Sequence, residues 1–226
     1  MTSCRYIRGK KIKGNGNVKT EERSVSGFSG VTSYGSFDVY ISNGSQSSLK
    51  IEGEENLLPY IESYVDDGVL KIDTKEGFWL DNKRSLKVYI TAPHFSSVRS
   101  NGSGNIISQG KLTDSSKIEF TVNGSADIKV ELDVPEVDAE ISGSGNINLV
   151  GATKKFRGEV TGSGNIHAMD LKSEETTVRI TGSGNADVYA SVQLDVHVAG
   201  SGDVRYKGDG KVNSNIAGSG NVKKVD

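Results

Sequence analysis

Asp138-Ala139-Glu140-Ile141-Ser142-Gly143-Ser144-Gly145-Asn146-Ile147-Asn148-Leu149 alternates without a slip. Ala139, Ile141, Gly143, Gly145, Ile147 and Leu149 share one parity, and the charged and polar residues between them share the other. Period-two alternation marks a strand with one buried face. The same parity carries Val178, Ile180, Gly182, Gly184, Ala186 and Val188, and again Val196, Val198, Gly200, Gly202, Val204 and Tyr206. The glycines thus sit where a side chain would point inward.

Outward from this stretch, Gly-Ser-Gly-Asn or a close variant starts at Gly102, Gly124, Gly143, Gly162, Gly182, Gly200 and Gly218, at steps of roughly 18 to 22 residues. Units this small cannot fold alone, so neighbours must stack to bury a shared interior. The first glycine is present in every copy. The second becomes Ala126 in one, so that position selects small size rather than a left-handed backbone. The fourth position is Asn105, Asp127, Asn146, Asn165, Asn185, Asp203 and Asn221. Short polar side chains that bond nearby backbone suit a corner, and stacked coils would align them as a ladder. Lys111–Ser116, Gly151–Lys155 and Lys172–Glu175 read as polar turns. Antiparallel meanders could repeat at this interval, but Asn-Gly hairpin signals are mostly missing and every copy runs in the same order. The pattern predicts an all-β protein, a parallel β-solenoid with one strand per face.

The chain has 226 residues and a formal net charge of −2, with basic and acidic residues interspersed. That speaks against a nucleic-acid or anionic-membrane footprint. Frequent glycine, scarce proline and mostly β-branched aliphatics fit the all-β assignment. Cys4 is the single cysteine, so no intramolecular disulfide forms. Thr2-Ser3-Cys4 resembles the tail of a bacterial lipoprotein signal, which makes Cys4 a lipidation candidate, although the preceding apolar segment is absent. The alternative is an ordinary free thiol.

Before Gly102 the repeat is degraded. Gly14-Asn15-Gly16-Asn17-Val18 and Gly35-Ser36-Phe37-Asp38-Val39 echo it, and strands are expected over 37–41, 48–52, 69–73 and 85–91. Over 54–65, Leu57, Leu58, Ile61 and Val65 have helical spacing with Asn56 as a cap, predicting one short helix. The expected organisation is a flexible segment over 1–11 and one body over 12–226, with irregular coils over 12–100 and a regular solenoid over 101–226. Atypical first coils shield an open edge; a small separate β-domain over 12–100 is the alternative. Lys223 and Lys224 would guard the other edge.

Ile12-Lys13-Gly14-Asn15-Gly16, Val25-Ser26-Gly27-Phe28-Ser29-Gly30-Val31, Phe37-Asp38-Val39-Tyr40-Ile41, Asn56-Leu57-Leu58-Pro59-Tyr60-Ile61 and the Gly-Ser-Gly-Asn-Ile array together resemble the bacterial auto-transporter adhesin family, whose shared region is the head GIN domain. The resemblance spans nearly the whole chain after about residue 12. It implies a right-handed β-helix of the pectin-lyase-like kind and a role in cell adhesion. It also implies export to the cell envelope or outer-membrane surface, often as a lipoprotein. It brings no catalytic residues to carry over.

Polysaccharide-processing β-helix enzymes need convergent carboxylates or a calcium cluster. Here Asp127 and Asp203 lie coils apart, and Asp66-Asp67 reads as a turn before Gly68. His94, His167 and His197 show no ligand spacing, although His167 and His197 fall near equivalent places two coils apart. Calcium-binding β-rolls repeat about every nine residues with Asp fixed; this repeat is twice as long and mostly carries Asn. Gly14-x-Gly16 lacks the strand-to-helix context of a phosphate loop. The expectation is no catalytic residue, no metal and no cofactor. Phe78 and Trp79 are the ligand-binding candidates, since exposed aromatics stack on sugars or anchor partners. The competing reading has Trp79 covering the solenoid edge. Tyr34, Tyr40 and Tyr89 are similarly ambiguous. The expected function is an adhesin-like binding or scaffold module for a glycan or an envelope or surface protein. No nucleic acid is expected, and membrane contact only through a lipid anchor. Open solenoid ends would permit a homo-oligomer. The alternatives are a polysaccharide-processing enzyme and a structural envelope protein.

Overall fold

The computed structural model describes residues 9–226; the lipidation candidate Cys4 lies outside the described residues. Twenty strands join one continuous hydrogen-bonded sheet, which winds into two layers around a single core. In the first layer Ser97–Gly102, Lys117–Gly124, Glu136–Gly143, Gln193–Gly200 and Lys211–Gly218 run parallel with the ends of Asn146–Gly162 and Leu171–Gly182. The second layer holds Ile106–Thr113, Asp127–Asp133, the start of Asn146–Gly162, Asn165–Ala168, Asn185–Tyr189, Val204–Lys207 and Val222–Lys224. Coils stack in register: Gly35, Gly102, Gly124, Gly143, Gly162, Gly182, Gly200 and Gly218 form one column. The molecule is a parallel β-solenoid. Inward residues stack likewise, and Val39, Ile106, Ile128, Ile147, Ile166, Ala186 and Val204 make one fully buried column. Burying an isoleucine contributes about 1.5–3 kcal/mol, and only adjacent coils can enclose it.

The glycines divide into two kinds. First-position glycines from Gly102 to Gly218 have φ between 123° and 159°. A Cβ there would overlap the carbonyl oxygen of the equivalent glycine one coil back. That oxygen is already engaged: Gly124 O accepts N–H bonds from Ser144 at 2.9 Å and Gly145 at 3.2 Å. The first position therefore faces along the stack, a correction to the alternation pattern, which placed it toward the core. Second-position Gly145, Gly164, Gly184 and Gly202 are buried without positive φ, and a Cβ there would meet the preceding coil and an inward Val or Ile. Size is the constraint at that position, which Ala126 shares.

Two expected polar turns are strand instead: Gly151–Lys155 lies within Asn146–Gly162, and Lys172–Glu175 within Leu171–Gly182. In the third, strand persists to Thr113. Stacked coils satisfy each other's backbone through the corner, so no local turn bond is required; Gly151 bends the chain at φ 120°.

Residues 12–100 continue the same body, with Gly30–Gly35 stacked on Ser97–Gly102 and Asp38–Asn43 on Ile106–Thr113. The helix expected over 54–65 shrinks to one 3-10 turn, Leu58–Tyr60, and Ile61–Asp66 is a strand antiparallel to Val69–Thr74. Pro59 sits at the start of the turn, and Ile61, Tyr64 and Val65 favour extended backbone. Asp67 (φ 48°) and Gly68 (φ 72°) form the two-residue hairpin. Asn56 caps no helix; its Nδ2 donates to Lys13 O at 2.9 Å. Antiparallel strands Ser48–Glu54 and Val18–Arg23 close this end of the second layer. Arg23 clamps the two layers there, donating to the carbonyls of Ile61 at 2.8 Å and Leu58 at 3.1 Å.

Glu54 is buried beneath Gly14 and accepts backbone N–H bonds from Gly16 at 2.5 Å and Lys83 at 2.7 Å. Burial opposes its ionisation, but the N–H donors of Lys83, Gly16 and Arg84 outweigh it and hold the carboxyl below its ordinary range. Outside the main sheet, Lys10–Lys13 pairs in parallel with Phe78–Asp81, so a strand crosses the boundary expected at residue 12.

Candidate binding face

The two outer faces differ in chemistry. On the first layer, charges alternate along the stack in the column Lys117, Glu136, Lys155, Glu175. Ion pairs consume neighbours, with Lys117 to Asp138 at 2.5 Å and Arg157 to Glu159 at 2.9 Å. Opposite charges on adjacent strands hold register and leave little for a ligand.

The second layer carries two outward columns. One is the corner ladder. Asn105 Nδ2 donates to Asp38 Oδ1 at 3.2 Å, Asn146 Nδ2 to Asp127 at 2.8 Å, and both Asn165 Nδ2 to Asn146 and Asn185 Nδ2 to Asn165 at 3.0 Å. Asp203 N donates to Asn185 Oδ1 at 3.0 Å and Asn221 N to Asp203 Oδ1 at 2.9 Å. Asp127 and Asp203 each stand between asparagines, with no like charge alongside, and one neighbour donates to each carboxylate: Asn146 Nδ2 to Asp127 and Asn221 N to Asp203. The other column runs Lys50, Tyr89, Tyr40, Ile107, Lys129, Asn148, His167, Asp187, Arg205, Lys223. Tyr40 and Tyr89 stack with centroids 5.0 Å apart, and Lys50 Nζ lies 4.5 Å over Tyr89. Tyr89 is thus covered on its ring by both Lys50 and Tyr40. Tyr34 is on the first layer, opposite Asn101.

A groove opens at each end of this face. One of about 780 Å³ is lined by Arg23, Ser26, Lys50, Tyr89 and Gln109. The other, about 460 Å³, is lined by His167, Asp187, Arg205, Lys223 and the ladder residues Asn165, Asn185, Asp203 and Asn221. Asp187 is its pivot. Arg205 reaches it twice, Nε to Oδ1 at 2.7 Å and a terminal nitrogen to Oδ2 at 2.8 Å, and His167 Nδ1 lies 3.1 Å from Oδ2. Burial pushes the carboxyl up, but the bonds from Arg205 and His167 prevail and hold it below its usual range. An ionised, doubly bonded carboxylate can orient Arg205 and cannot serve as a general acid. Asp73, raised by burial with Glu62 beside it, lines neither groove.

His197 stands on the first layer beside Arg179, so it is not equivalent to His167. His94 pairs with Asp114 at 3.3 Å. Among the described residues no three His, Cys, Asp or Glu side chains converge as a metal site, and no helix is long and apolar enough to cross a membrane. The ligand candidates Phe78 and Trp79 are on the Phe78–Asp81 ribbon, away from both grooves. Phe78 is half-buried, its centroid 4.7 Å from that of Tyr60, and Trp79 is exposed beneath Lys11 Nζ at 4.5 Å. The Asp187 cluster escaped sequence reasoning; the residue two after the corner position in each copy would have revealed it once coils were aligned.

Fold and face together define a class: a two-layered β-solenoid displaying a regular polar surface. The family model described as "Putative auto-transporter adhesin, head GIN domain" matches residues 27–210, and the chain belongs to that family. Similar crystal structures include one described as a putative adhesin from Bacteroides fragilis, at 21% identity and TM-score 0.87, covering 95% of this chain and 100% of that one. Another, described as a putative lipid binding protein from Parabacteroides distasonis, has 27% identity and TM-score 0.81, covering 96% and 100%. A third, described as a putative adhesin from Parabacteroides merdae, has 26% identity and TM-score 0.74 with the same coverages. No curated protein matches the chain.

Proposed function

We propose that the protein is a non-catalytic, adhesin-like module of the bacterial cell surface that takes a glycan along the outer face of its second layer. The observation carrying this reading is the register that aligns Lys129, Asn148, His167, Asp187, Arg205 and Lys223 beside the Asn/Asp ladder. Donors and acceptors recur at the strand spacing of about 4.8 Å. Many weak, evenly spaced contacts suit a repeating polymer, and affinity then grows with the number of coils engaged. Family membership supports adhesion and a surface location. A glycan array followed by calorimetry tests the proposal: Arg205→Ala with Lys223→Ala weakens binding at least tenfold while the fold is kept. Release of uronic acid from a polysaccharide, abolished by one carboxylate substitution, would instead establish the enzyme alternative.

A further inference from the structure

The Lys10–Lys13 and Phe78–Asp81 ribbon is chemically unlike both outer faces. Register places Lys11 opposite Trp79 and Lys13 opposite Asp81. Ile12 and Leu80, on the other parity, pack against the core, so Lys11, Lys13, Trp79 and Asp81 share the outward side. Lys83 and Arg84 follow directly and are exposed. Asp81 is the acidic group among them. Its carboxyl is lowered first by the hydrogen bond from Lys11, at 2.8 Å, and further by the charges of Lys13 and Lys83, so these lysines crowd one spot. Linear order hides this, because the basic residues come from segments about 70 positions apart. A chain of net charge −2 thus carries a local basic patch around its only tryptophan, which is 48% exposed. Lysine stems lie along apolar surface while their heads reach outward, and Trp, apolar with one polar tip, belongs at a membrane–water interface.

We propose that this ribbon docks on the surface of an anionic lipid bilayer, with Trp79 seated at the headgroup level and Lys11, Lys13, Lys83 and Arg84 facing lipid phosphates. The proposal is independent of glycan binding on the second layer. Each lysine near an anionic surface contributes on the order of 1 kcal/mol, or about fivefold in affinity. Contact of this strength is reversible and salt-sensitive.

The single tryptophan makes the test specific. The full chain is titrated with vesicles of pure phosphatidylcholine and of phosphatidylcholine containing one-third phosphatidylglycerol, following Trp emission and sedimentation. The expected result is a blue shift and co-sedimentation with the anionic vesicles only. Lys13→Gln with Lys83→Gln lowers the affinity about 25-fold, and Trp79→Tyr retains weakened sedimentation. Circular dichroism confirms that the variants are folded. No shift with anionic vesicles at low salt overturns the proposal. So does undiminished binding by the double lysine variant, or a shift with soluble polygalacturonate but none with vesicles, which would mark an acidic-polymer site.

Discussion

Gly162→Ala and Gly164→Ala add the same methyl two residues apart, yet the structure assigns them unequal costs. At Gly162 the backbone is at φ 123°, and the new Cβ would overlap the carbonyl oxygen of Gly143. Backbone in a glycine-only region costs about 1–3 kcal/mol for another residue. Overpacking adds about 1–3 kcal/mol, and here the obstacle is a carbonyl accepting N–H bonds from Ser163 at 2.9 Å and Gly164 at 3.1 Å. The two together give about 4 kcal/mol. At Gly164 a Cβ would likewise meet a carbonyl oxygen, that of Gly145, but the positive φ is lacking and the counterpart two coils back is natively Ala126, so only the packing term of about 1–2 kcal/mol remains. For a chain of this size each kcal/mol lowers Tm by about 2–4 °C. Calorimetry should therefore place Gly162→Ala roughly 12 °C below the parent and Gly164→Ala within about 6 °C of it. Equal shifts, or a larger one for Gly164→Ala, would refute the division of labour between the two glycines.

Other consequences can be checked together. Asn146→Asp sets a second carboxylate against Asp127, where an amide now donates at 2.8 Å. One of the pair must then be raised in the fold, so the loss of about 1–2 kcal/mol at pH 7 should disappear as pH falls toward 4 in urea titrations. Glu54 is lowered in the fold, so it adds stability above the ordinary carboxylate range and loses it as pH falls through its folded value. Glu54→Gln should lower Tm by about 5–10 °C at pH 7 and flatten the acid limb of the stability curve. Ile147→Ala should cost about 3–4 kcal/mol, with amide exchange rising first in the coils on either side.

The solenoid was legible because its signals are periodic. Alternation, the fixed glycines and the Asn/Asp corner all recur at the coil length, and stacking in one direction is the arrangement that superimposes them. What escaped were features made by contacts between distant segments. Leu57, Leu58, Ile61 and Val65 mimic a helix, but the hairpin partner Val69–Thr74 holds Ile61–Asp66 extended. Glu54 looks like any acidic residue until Gly14, Gly16 and Lys83 converge on it. His167, Asp187 and Arg205 lie 20 and 18 residues apart, and only the register of Asn165–Ala168, Asn185–Tyr189 and Val204–Lys207 brings them side by side.

Everything above depends on equivalent residues of successive coils being immediate parallel neighbours. Thr161 and Thr181 are exposed and directly paired, whereas Thr161 and Ala199 are two strands apart, about 9.6 Å by strand spacing. With Cys4→Ser as background, cysteines at 161 and 181 should join on mild oxidation with the fold intact, and cysteines at 161 and 199 should not, since a disulfide spans at most about 7 Å between Cα atoms. Efficient joining of the wider pair, or its absence in the nearer one, would contradict the stacking.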